Sequence, residues 1–393
     1  MNALQDKIIG LVPAIRMILS SGPIKSGSFV PLDRLIEKDP EKISVRLGRP
    51  IPVFKGETDQ ILQDVTGSRS ETGEYLFLEG LGLMGLATNH SKIEQKLATV
   101  RRESRGAALS EPVASPQIPK ALYNRIVAIT GGAMGYGEGI ARELFSEGAN
   151  VVIMDINEGS GQELVTELNS KVSTNRALFV HADVTSQDSL AVAVYETVLE
   201  FGGLDVMISN AGVLKAGGIE EMEPGDFDFV TRVNYTGYYN AVRAAVPVMK
   251  TQNKYADWNY GDIIQINSKS GIEGSKKNFA YAGSKFGGIG LTQSFALELM
   301  VHRIKVNAIC PGNYFEGPLW SHPETGLFRQ YLEAGKVREA TTIEDVKRYY
   351  ESLVPAGRGC RVSDVVKAIK YVIDQEYETG QAIMVTGGQV MLG

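Results

Sequence analysis

Short apolar runs alternate with segments of helical periodicity from residue 125 to the end of the chain. The runs are rich in β-branched residues, as is typical of strands buried on both faces of a sheet. They occupy residues 125–130, 150–155, 177–181, 206–210, 262–267, 305–309 and 382–385. Helical periodicity is found at 137–147, 159–169, 186–201, 279–300 and 363–375. Because strands that alternate with helices form right-handed βαβ units, the pattern predicts a doubly wound α/β domain with a seven-stranded parallel sheet.

The region before these strands predicts a smaller, separate unit. Three prolines, Pro112, Pro116 and Pro119, lie among alanine and serine residues, which disfavours a helix and predicts an extended linker at 106–122. We therefore expect an N-terminal α/β appendage at 1–105 and the main domain at 123–393. Within the appendage, residues 74–102 predict a buried strand, a glycine turn and a helix. Residues 8–19 contain a proline and an arginine, so they predict an amphipathic helix and not a membrane span.

Charge and composition exclude several classes of function. The formal net charge of −6 provides no broad positive field for nucleic acid or an anionic membrane. The two cysteines, Cys310 and Cys360, are too few for a secreted domain built on disulfides, so we expect reduced thiols and a cytoplasmic location. The four histidines do not have the spacing of metal ligands, and we expect no metal site.

A glycine-rich loop, TGGAMGYG at 130–137, follows the first strand of the main domain. Gly131, Gly135 and Gly137 have the spacing that permits a tight turn, the approach of a pyrophosphate and close packing of the next helix. Asp155 ends the second strand, where an acidic group binds the ribose hydroxyls of a dinucleotide. The alternative is that Asp155 caps the following helix. Because a carboxylate repels a 2′-phosphate and the neighbouring sequence supplies no cation, the pattern favours NAD over NADP.

Tyr281 and Lys285 lie four residues apart at the start of a predicted helix, so both project from one face. A tyrosine that acts as an acid and base near neutral pH needs its pKa lowered by about three units, and a lysine one turn away supplies a suitable charge. Taken alone, the pair is equally consistent with a surface tyrosine and a solvated lysine.

Other motifs accompany this pair, and together they resemble those of the short-chain dehydrogenase/reductase family from about residue 123 to the C-terminus. The shared residues, besides the glycine loop, are Asp183, Val184, Asn210, Ala211, Gly212, Asn234, Ser268, Tyr281 and Lys285. The resemblance implies a Rossmann fold and an NAD-dependent alcohol dehydrogenase that needs no metal.

The resemblance also implies the role of each residue. Tyr281 is the general acid and base, Lys285 lowers the pKa of the tyrosine and holds the nicotinamide ribose, and Ser268 polarises the substrate carbonyl. Asn234 anchors a water in the proton relay. The residues implied to bind the cofactor are Gly131, Gly135, Tyr136, Gly137, Asp155, Asp183, Val184, Asn210, Ala211, Gly212, Tyr281, Lys285, Pro311 and Gly312. One position departs from the family, because Glu316 stands where a threonine often binds the nicotinamide amide.

Residues 263–299, 354–360 and 378–393 resemble the branch of this family that oxidises polyol phosphates, such as sorbitol 6-phosphate to fructose 6-phosphate. Four lysines are expected near the substrate and are candidate phosphate ligands: Lys215, Lys269, Lys276 and Lys277. The alternatives are that they are solvated loop lysines, that the substrate is an unphosphorylated polyol or sugar, or that the protein is a non-catalytic NAD(H)-sensing regulator.

Two further segments leave their role open. Trp320, Phe328 and Tyr331 lie where family members carry a substrate lid, but they are equally consistent with a core or a subunit contact. The helix at 279–300 is apolar enough to join subunits, and the resemblance implies a tetramer or dimer. Residues 74–102 resemble the last strand and helix of a class II aldolase-like domain. Aldolases of that class bind a metal through clustered histidines, whereas this region has only His90, so we do not expect aldolase activity.

Overall fold

The computed structural model describes residues 3–20, 25–47, 49, 51–68, 73–87, 90–101, 122–170, 175–324, 326–333, 335 and 337–391. The predicted linker at 106–122 lies outside the described residues except for its last residue. The boundaries drawn around it therefore stay a prediction. In the described part of the chain, no helix is both long and apolar enough to cross a membrane.

The main domain contains the predicted seven-stranded parallel sheet within the described residues. Its strands are β5 (Ile126–Thr130), β6 (Asn150–Asp155), β7 (Ala177–His181), β8 (Val206–Ser209), β9 (Gly261–Ile266), β10 (Ile304–Pro311) and β11 (Ala382–Val385). They lie in the order β11-β10-β9-β8-β5-β6-β7, and every neighbouring pair is parallel. The order reverses between β5 and β8, and ligands of such sheets bind at the carboxyl ends of the strands at this reversal.

Helices cover both faces of this sheet, and the fold class predicted from the sequence is confirmed. They are α5 (Gly135–Ser146), α6 (Glu158–Ser170), α7 (Gln187–Phe201), α8 (Pro224–Thr231), α9 (Gly237–Lys254), α10 (Phe279–Leu299), α11 (Pro318–Ser321), α12 (Leu327–Glu333), α13 (Ile343–Ser352) and α14 (Val362–Asp374). Successive residues of β5 pack into different hydrophobic clusters. Val127 packs with α5 and α14, whereas Ala128 packs with α7 and α9. The uninterrupted apolar strands of the sequence are thus explained by burial on both sides.

The N-terminal residues form a second, four-stranded sheet with its own helices. The elements are α1 (Ala3–Leu19), β1 (Ser26–Pro31), α2 (Pro40–Leu47), β2 (Val53–Phe54), α3 (Thr58–Gly67), β3 (Tyr75–Leu78), β4 (Gly82–Ala87) and α4 (His90–Leu97). The strand order is β1-β4-β3-β2, with β4 antiparallel to both of its neighbours. The prediction of one strand and a glycine turn before the last helix was incomplete, because the turn joins two strands. Gly80 and Gly82 form this turn with φ of +74° and +149°, a region that favours glycine.

The N-terminal elements share a hydrophobic core with the main domain. Helix α1 packs against α9 and α7, and β1 packs against α7. A single cluster of buried side chains includes Ile15 and Phe29 together with Val198 and Ala241. From Ile8 to Leu19 every residue of α1 except Gly10 is buried. The helix predicted here is confirmed, but it is enclosed on nearly all sides instead of being amphipathic.

A buried ion pair joins the two parts of the chain. Arg16 of α1 and Asp205, which directly precedes β8, are both fully buried. The Nη1 and Nη2 atoms of Arg16 donate to the two carboxylate oxygens at 3.0 and 2.8 Å. Asp205 also accepts hydrogen bonds from the backbone N–H of Ile126 at 2.9 Å and from Nε2 of Gln252 at 3.1 Å. Burial raises the pKa of Asp205, but Arg16 outweighs it, so the pKa lies below its ordinary value.

A second set of buried charges lies along the same seam. Glu200 of α7 lies 3.1 Å from Nε of Arg176 and 3.6 Å from Nε2 of His90, the first residue of α4. Glu94 of α4 forms an ion pair with Arg101. His90, Glu94 and Glu200 are close enough together to hold a cation. Each carboxylate is already neutralised by an arginine, however, and of these contacts the one between His90 and Glu200 joins α4 to α7.

We expect the substitution Arg16→Met to lower the free energy of unfolding by about 3–5 kcal/mol, because it leaves the Asp205 carboxylate buried without its counter-charge. The measurement is equilibrium denaturation at neutral pH. Since the pKa of Asp205 is lowered in the folded protein, the deficit should shrink as the pH falls through that pKa.

The matched control is Arg34→Met. Arg34 also reaches from the N-terminal part to α7, where Nη2 lies 3.2 Å from Oε1 of Glu196, but this pair is partly exposed. A surface pair contributes under about 1 kcal/mol. Equal losses in the two variants would contradict the importance assigned to the buried pair.

Candidate active site

The glycine-rich loop joins β5 to α5 at the reversal of the strand order. Gly131 and Gly135 have φ of +61° and +60°. A Cβ atom at Gly131 would lie 2.7 Å from Cα of Ala211, and one at Gly137 would overlap the carbonyl oxygen of Gly131. A Cβ at Gly135 would meet no protein atom within 4 Å and would instead enter the cleft. The loop therefore leaves room for a ligand beside the N-terminus of α5, where backbone N–H groups attract a phosphate.

A cleft of about 1340 Å³ opens above this loop. Of the residues implied to bind the cofactor, all but Gly137 line it. They are Gly131, Gly135, Tyr136, Asp155, Asp183, Val184, Asn210, Ala211, Gly212, Tyr281, Lys285, Pro311 and Gly312. Gly137 lies beneath the loop, where the absence of a side chain lets it pack against the carbonyl oxygen of Gly131. A dinucleotide fits these residues, because the loop that would hold its pyrophosphate and the acidic strand end meet in one cleft.

Asp155, at the end of β6, is buried except for 8% of its surface. Its Oδ2 accepts from the N–H of Ala133 at 3.0 Å, and its Oδ1 accepts from the N–H of Asn157 at 2.9 Å. The alternative that Asp155 caps the next helix is not observed, since Oδ1 of Asn157 accepts from the N–H of Ser160 in the first turn of α6. Each carboxylate oxygen of Asp155 retains a lone pair for a ligand hydroxyl.

Asn210 fastens the two strands at the reversal. Its Nδ2 donates to the carbonyl oxygens of Thr130 and Gly131 at 3.1 and 2.8 Å. In return, Oγ1 of Thr130 accepts from the N–H groups of Asn210 and Ala211 at 3.1 and 3.2 Å. These bonds fix the glycine loop against the turn after β8.

Ser268, Tyr281 and Lys285 come together in the floor of the same cleft. Tyr281 and Lys285 lie in the first two turns of α10, and Nζ of Lys285 is 5.5 Å from the centre of the Tyr281 ring. This amine donates to the carbonyl oxygen of Ile266 at 2.9 Å. The hydroxyl of Ser268, just after β9, accepts from the N–H of Ser270 at 3.2 Å, so its own proton can be donated to Tyr281.

Burial dominates the electrostatics of these groups. It raises the pKa of Tyr281, an effect that a hydrogen bond from Ser268 partly opposes. Burial also lowers the pKa of Lys285 to about 8. Burial thus opposes the lowering of the tyrosine pKa that was expected from the sequence. A phenolate at Tyr281 forms only when a positive charge nearby offsets its desolvation.

Asn234 lies behind the cleft, in a π-helical turn formed by residues Arg232–Thr236. It is 3% exposed, and its Oδ1 accepts from the N–H of Val213 at 2.8 Å. Its Nδ2 donates to the Val213 carbonyl oxygen at 2.9 Å and to Oγ of Ser284 at 3.1 Å. The side chain thus holds the loop after β8 against α10, beside the catalytic pair. The water implied by the resemblance stays a prediction.

The four candidate phosphate lysines have different surroundings. Lys269 and Lys276 line the cleft, and no carboxylate of the described residues forms an ion pair with either. Lys277 also lines the cleft, but its Nζ is 2.9 Å from Oε1 of Glu221. Lys215 does not line it, and its amine lies 3.6 Å from Oδ1 of Asp226. Of the four candidates, Lys269 and Lys276 are thus the two that line the cleft without an ion pair among the described residues.

Three further residues, Arg232, Glu316 and Tyr136, differ in their position relative to the cleft. Arg232 lines it through the π-helical turn, which no sequence motif indicated. Glu316 does not line it and faces Arg361 at 4.0 Å, so it does not replace the family's threonine. Tyr136 stacks on Tyr314, with ring centres 4.3 Å apart, and thereby links the glycine loop to the segment after β10.

The segment after β10 forms both a small core and part of the cleft wall. Phe315, Trp320, Phe328 and Val346 make a hydrophobic cluster of their own. Trp320 and Tyr331 also line the cleft, whereas Phe328 does not. The core alternative is therefore confirmed for Trp320 and Phe328, and the lid stays a prediction.

Comparison with known proteins agrees with this geometry. Residues 125–318 match the short chain dehydrogenase family. Sorbitol-6-phosphate 2-dehydrogenase of Escherichia coli (strain K12) is 36% identical over 271 residues, which cover 68% of this chain and 99% of the relative. The chain belongs to the short-chain dehydrogenase family. It is therefore an oxidoreductase of that family, and its fold agrees with the family fold.

Solved structures of short-chain dehydrogenases resemble the chain in the same way. The crystal structure of sorbitol-6-phosphate 2-dehydrogenase from Erwinia amylovora has a TM-score of 0.62 at 35% identity and covers 68% of this chain and all of its own. The 3-ketoacyl-(acyl-carrier-protein) reductase from Brucella melitensis, complexed with NADH, has a TM-score of 0.57 at 26% identity, over 68% of this chain and 99% of its own. About a third of the present chain lies outside each alignment. The aldolase-like resemblance of residues 74–102 stays a prediction.

Proposed function

We propose that this short-chain dehydrogenase oxidises a secondary alcohol of a polyol or sugar phosphate with NAD, the favoured reaction being sorbitol 6-phosphate to fructose 6-phosphate. The observation that carries the proposal is the meeting of the glycine loop and the group Ser268, Tyr281 and Lys285 in one cleft. The alignment with sorbitol-6-phosphate 2-dehydrogenase over nearly its full length supports the choice of substrate.

The charges of the cleft support both the cofactor and the anionic substrate. Asp155 and Asp183 line it beside the uncharged Ile156 and Asn157, a setting that accepts ribose hydroxyls and repels a 2′-phosphate. The basic side chains that line it, among the described residues, are Arg232, Lys269, Lys276, Lys277 and Lys285. These lie in the elements around the catalytic group, so the substrate end of the cleft attracts an anion.

The side chains divide the proton chemistry between them. When bound, NAD accepts a hydride at C4 of its nicotinamide ring. The phenolate oxygen of Tyr281 takes the proton of the substrate hydroxyl, and Ser268 donates a hydrogen bond to the substrate oxygen as its C–O bond gains double-bond character. Lys285, anchored to the Ile266 carbonyl oxygen, places its ammonium charge beside the phenolate.

The remaining parts of the proposal concern the setting of the enzyme. Cys310 and Cys360 are both buried and unpaired, which supports a reducing compartment such as the cytoplasm. Helix α10 leaves a stripe in solvent that includes Phe286, Gly290 and Leu297, the last with 86% of its surface exposed, and that also contains the polar Gln293 and Ser294. We propose that a second copy of the chain covers this stripe in a dimer or tetramer.

The test of the function is an NAD-linked assay with polyols that carry or lack a terminal phosphate. We expect sorbitol 6-phosphate to be oxidised far faster than sorbitol, and faster with NAD than with NADP. Tyr281→Phe should lower kcat by about 100- to 10,000-fold while the dissociation constant for NADH hardly changes. Equal rates for both sugars would contradict the phosphate. NADH binding without turnover of any polyol would favour the NAD(H)-sensing alternative.

The phosphate site is tested by Lys269→Met and Lys276→Met. Each change removes a charge but keeps much of the side-chain length, so we expect KM for the phosphate ester to rise about 10-fold or more, as for the loss of a charge-assisted hydrogen bond of roughly 1.5–3 kcal/mol. The kcat values of both variants should equal that of the parent protein. Lys215→Met, outside the cleft, is the matched control, and an equal rise in that variant would contradict the assignment.

The oligomer is tested by Leu297→Asp, which places a charge at the most exposed apolar residue of the stripe. We expect the variant to sediment as a smaller species than the parent, because an unpaired charge in an apolar interface costs several kcal/mol. Val45→Asp is the control, since Val45 of α2 is similarly exposed but lies far from α10 in the chain. A parent protein that sediments as a monomer would refute the interface.

A further inference from the structure

Two buried amide side chains lie at the end of β9, directly under the catalytic helix. Gln265 and Asn267 are 2% and 4% exposed, and as alternate residues of an extended strand they point to the same side. Neither belongs to the motifs that predicted the site. Buried amides are retained where their hydrogen bonds are satisfied, so their partners indicate their role.

Every polar atom of the Asn267 side chain is engaged, and two of its three partners belong to catalytic residues. Its Nδ2 donates to the backbone carbonyl oxygen of Lys285 at 2.9 Å and to Oε1 of Gln265 at 2.8 Å. Its Oδ1 accepts from the backbone N–H of Ser268 at 2.8 Å. The carbonyl of Lys285 lies inside α10, and a carbonyl oxygen has a second lone pair for such a bond.

Lys285 is consequently held to the end of β9 at two points. Its Nζ donates to the Ile266 carbonyl oxygen, and its own carbonyl accepts from Asn267. Ser268, the next residue of the chain, is held by the same amide. Without the Asn267 side chain, α10 would keep its packing on β10. The hydrogen bonds that fix the position of α10 relative to Ser268 through this amide would be lost.

Two glycines make room for the amides. A Cβ atom at Gly288 of α10 would overlap the side-chain amide of Gln265, and one at Gly271 would overlap Oδ1 of Asn267. Both glycines have φ outside the left-handed region, so space and not backbone freedom explains them. Because these two residues have no side chain, the backbone of α10 and the backbone of the loop lie directly against the amides.

We propose that Asn267 is a positioning residue, which fixes Ser268 and Lys285 relative to each other and so sets the geometry of proton transfer, with Gln265 holding its amide in orientation. The inference rests on the proposed function, because it assigns a role within the same catalytic group. Reacting groups must be placed to within a fraction of an ångström, and a displacement of 1 Å costs about 100-fold in rate.

The experiment compares Asn267→Ala and Asn267→Ser with Asn307→Ala in the full-length protein. Asn307 of β10 is an equally buried asparagine whose side chain bonds the backbone of Glu378 and Gln381 and not Ser268, Tyr281 or Lys285. We expect both Asn267 variants to lose about 10- to 100-fold in kcat for sorbitol 6-phosphate. Their dissociation constants for NADH, measured by fluorescence, should change much less. Asn307→Ala should lower Tm and leave kcat unchanged.

Gln265→Met provides a graded test, because it removes one acceptor of the Asn267 amide but leaves both catalytic contacts in place. Its loss in kcat should be smaller than that of Asn267→Ser. If the Asn267 variants retain the kcat of Asn307→Ala while the parent turns over, the positioning role is overturned and the proposed function stands. If the parent oxidises no alcohol with NAD, the proposed function and this inference both fail.

Discussion

The carboxylate of Asp205 is the point at which the whole chain is joined. It accepts hydrogen bonds from the start of β5, from the side chain of Gln252 on α9 and from Arg16 on α1. A buried carboxylate with no counter-charge would cost several kcal/mol, so the amino edge of the sheet depends on α1 for its neutrality. The strands that Asp205 ties together, β5 and β8, are the two between which the order reverses, and the cleft opens at their opposite, carboxyl ends. An element outside the family match thus helps to hold together the two strands that carry the glycine loop and the turn after β8.

Much of the main domain could be predicted from the sequence, because its strands are buried on both faces and its helices have one apolar side. Strands β6, β7 and β11 have the predicted bounds, and the others differ by one or two residues at an end. The N-terminal part could not be predicted as well. The apolar period of α1 indicates one buried face, but its other face is also buried, by contacts with Asp205 and α9. These partners lie about 190 residues or more away in the chain, so nothing in the local sequence indicates the contacts.

The placement of Tyr281 and Lys285 side by side in the cleft could be predicted because it depends on local spacing. A tyrosine and a lysine four residues apart on a helix must share a face, whatever the rest of the fold does. The charges at the substrate end follow no such rule. Lys277 is neutralised by Glu221, which is 56 residues away in the chain, and Arg232 reaches the cleft from a π-helical turn. Neither the pairing nor the turn is visible as a pattern, so the sequence could not distinguish Lys277 from Lys269 and Lys276, and the phosphate-binding role of the lysines stays a prediction.

The close fit of Gly271 and Gly288 around the two amides has a consequence for how such enzymes diverge. Each glycine is constrained by a particular neighbour across the helix interface and not by its own backbone. A lineage that replaces Asn267 by a smaller residue is therefore free to gain a side chain at Gly271, and the same holds for Gln265 and Gly288. Alanine at either glycine while its amide partner is kept would be a dead end. The four positions form two linked pairs, and their joint variation among homologues would record the history of this contact.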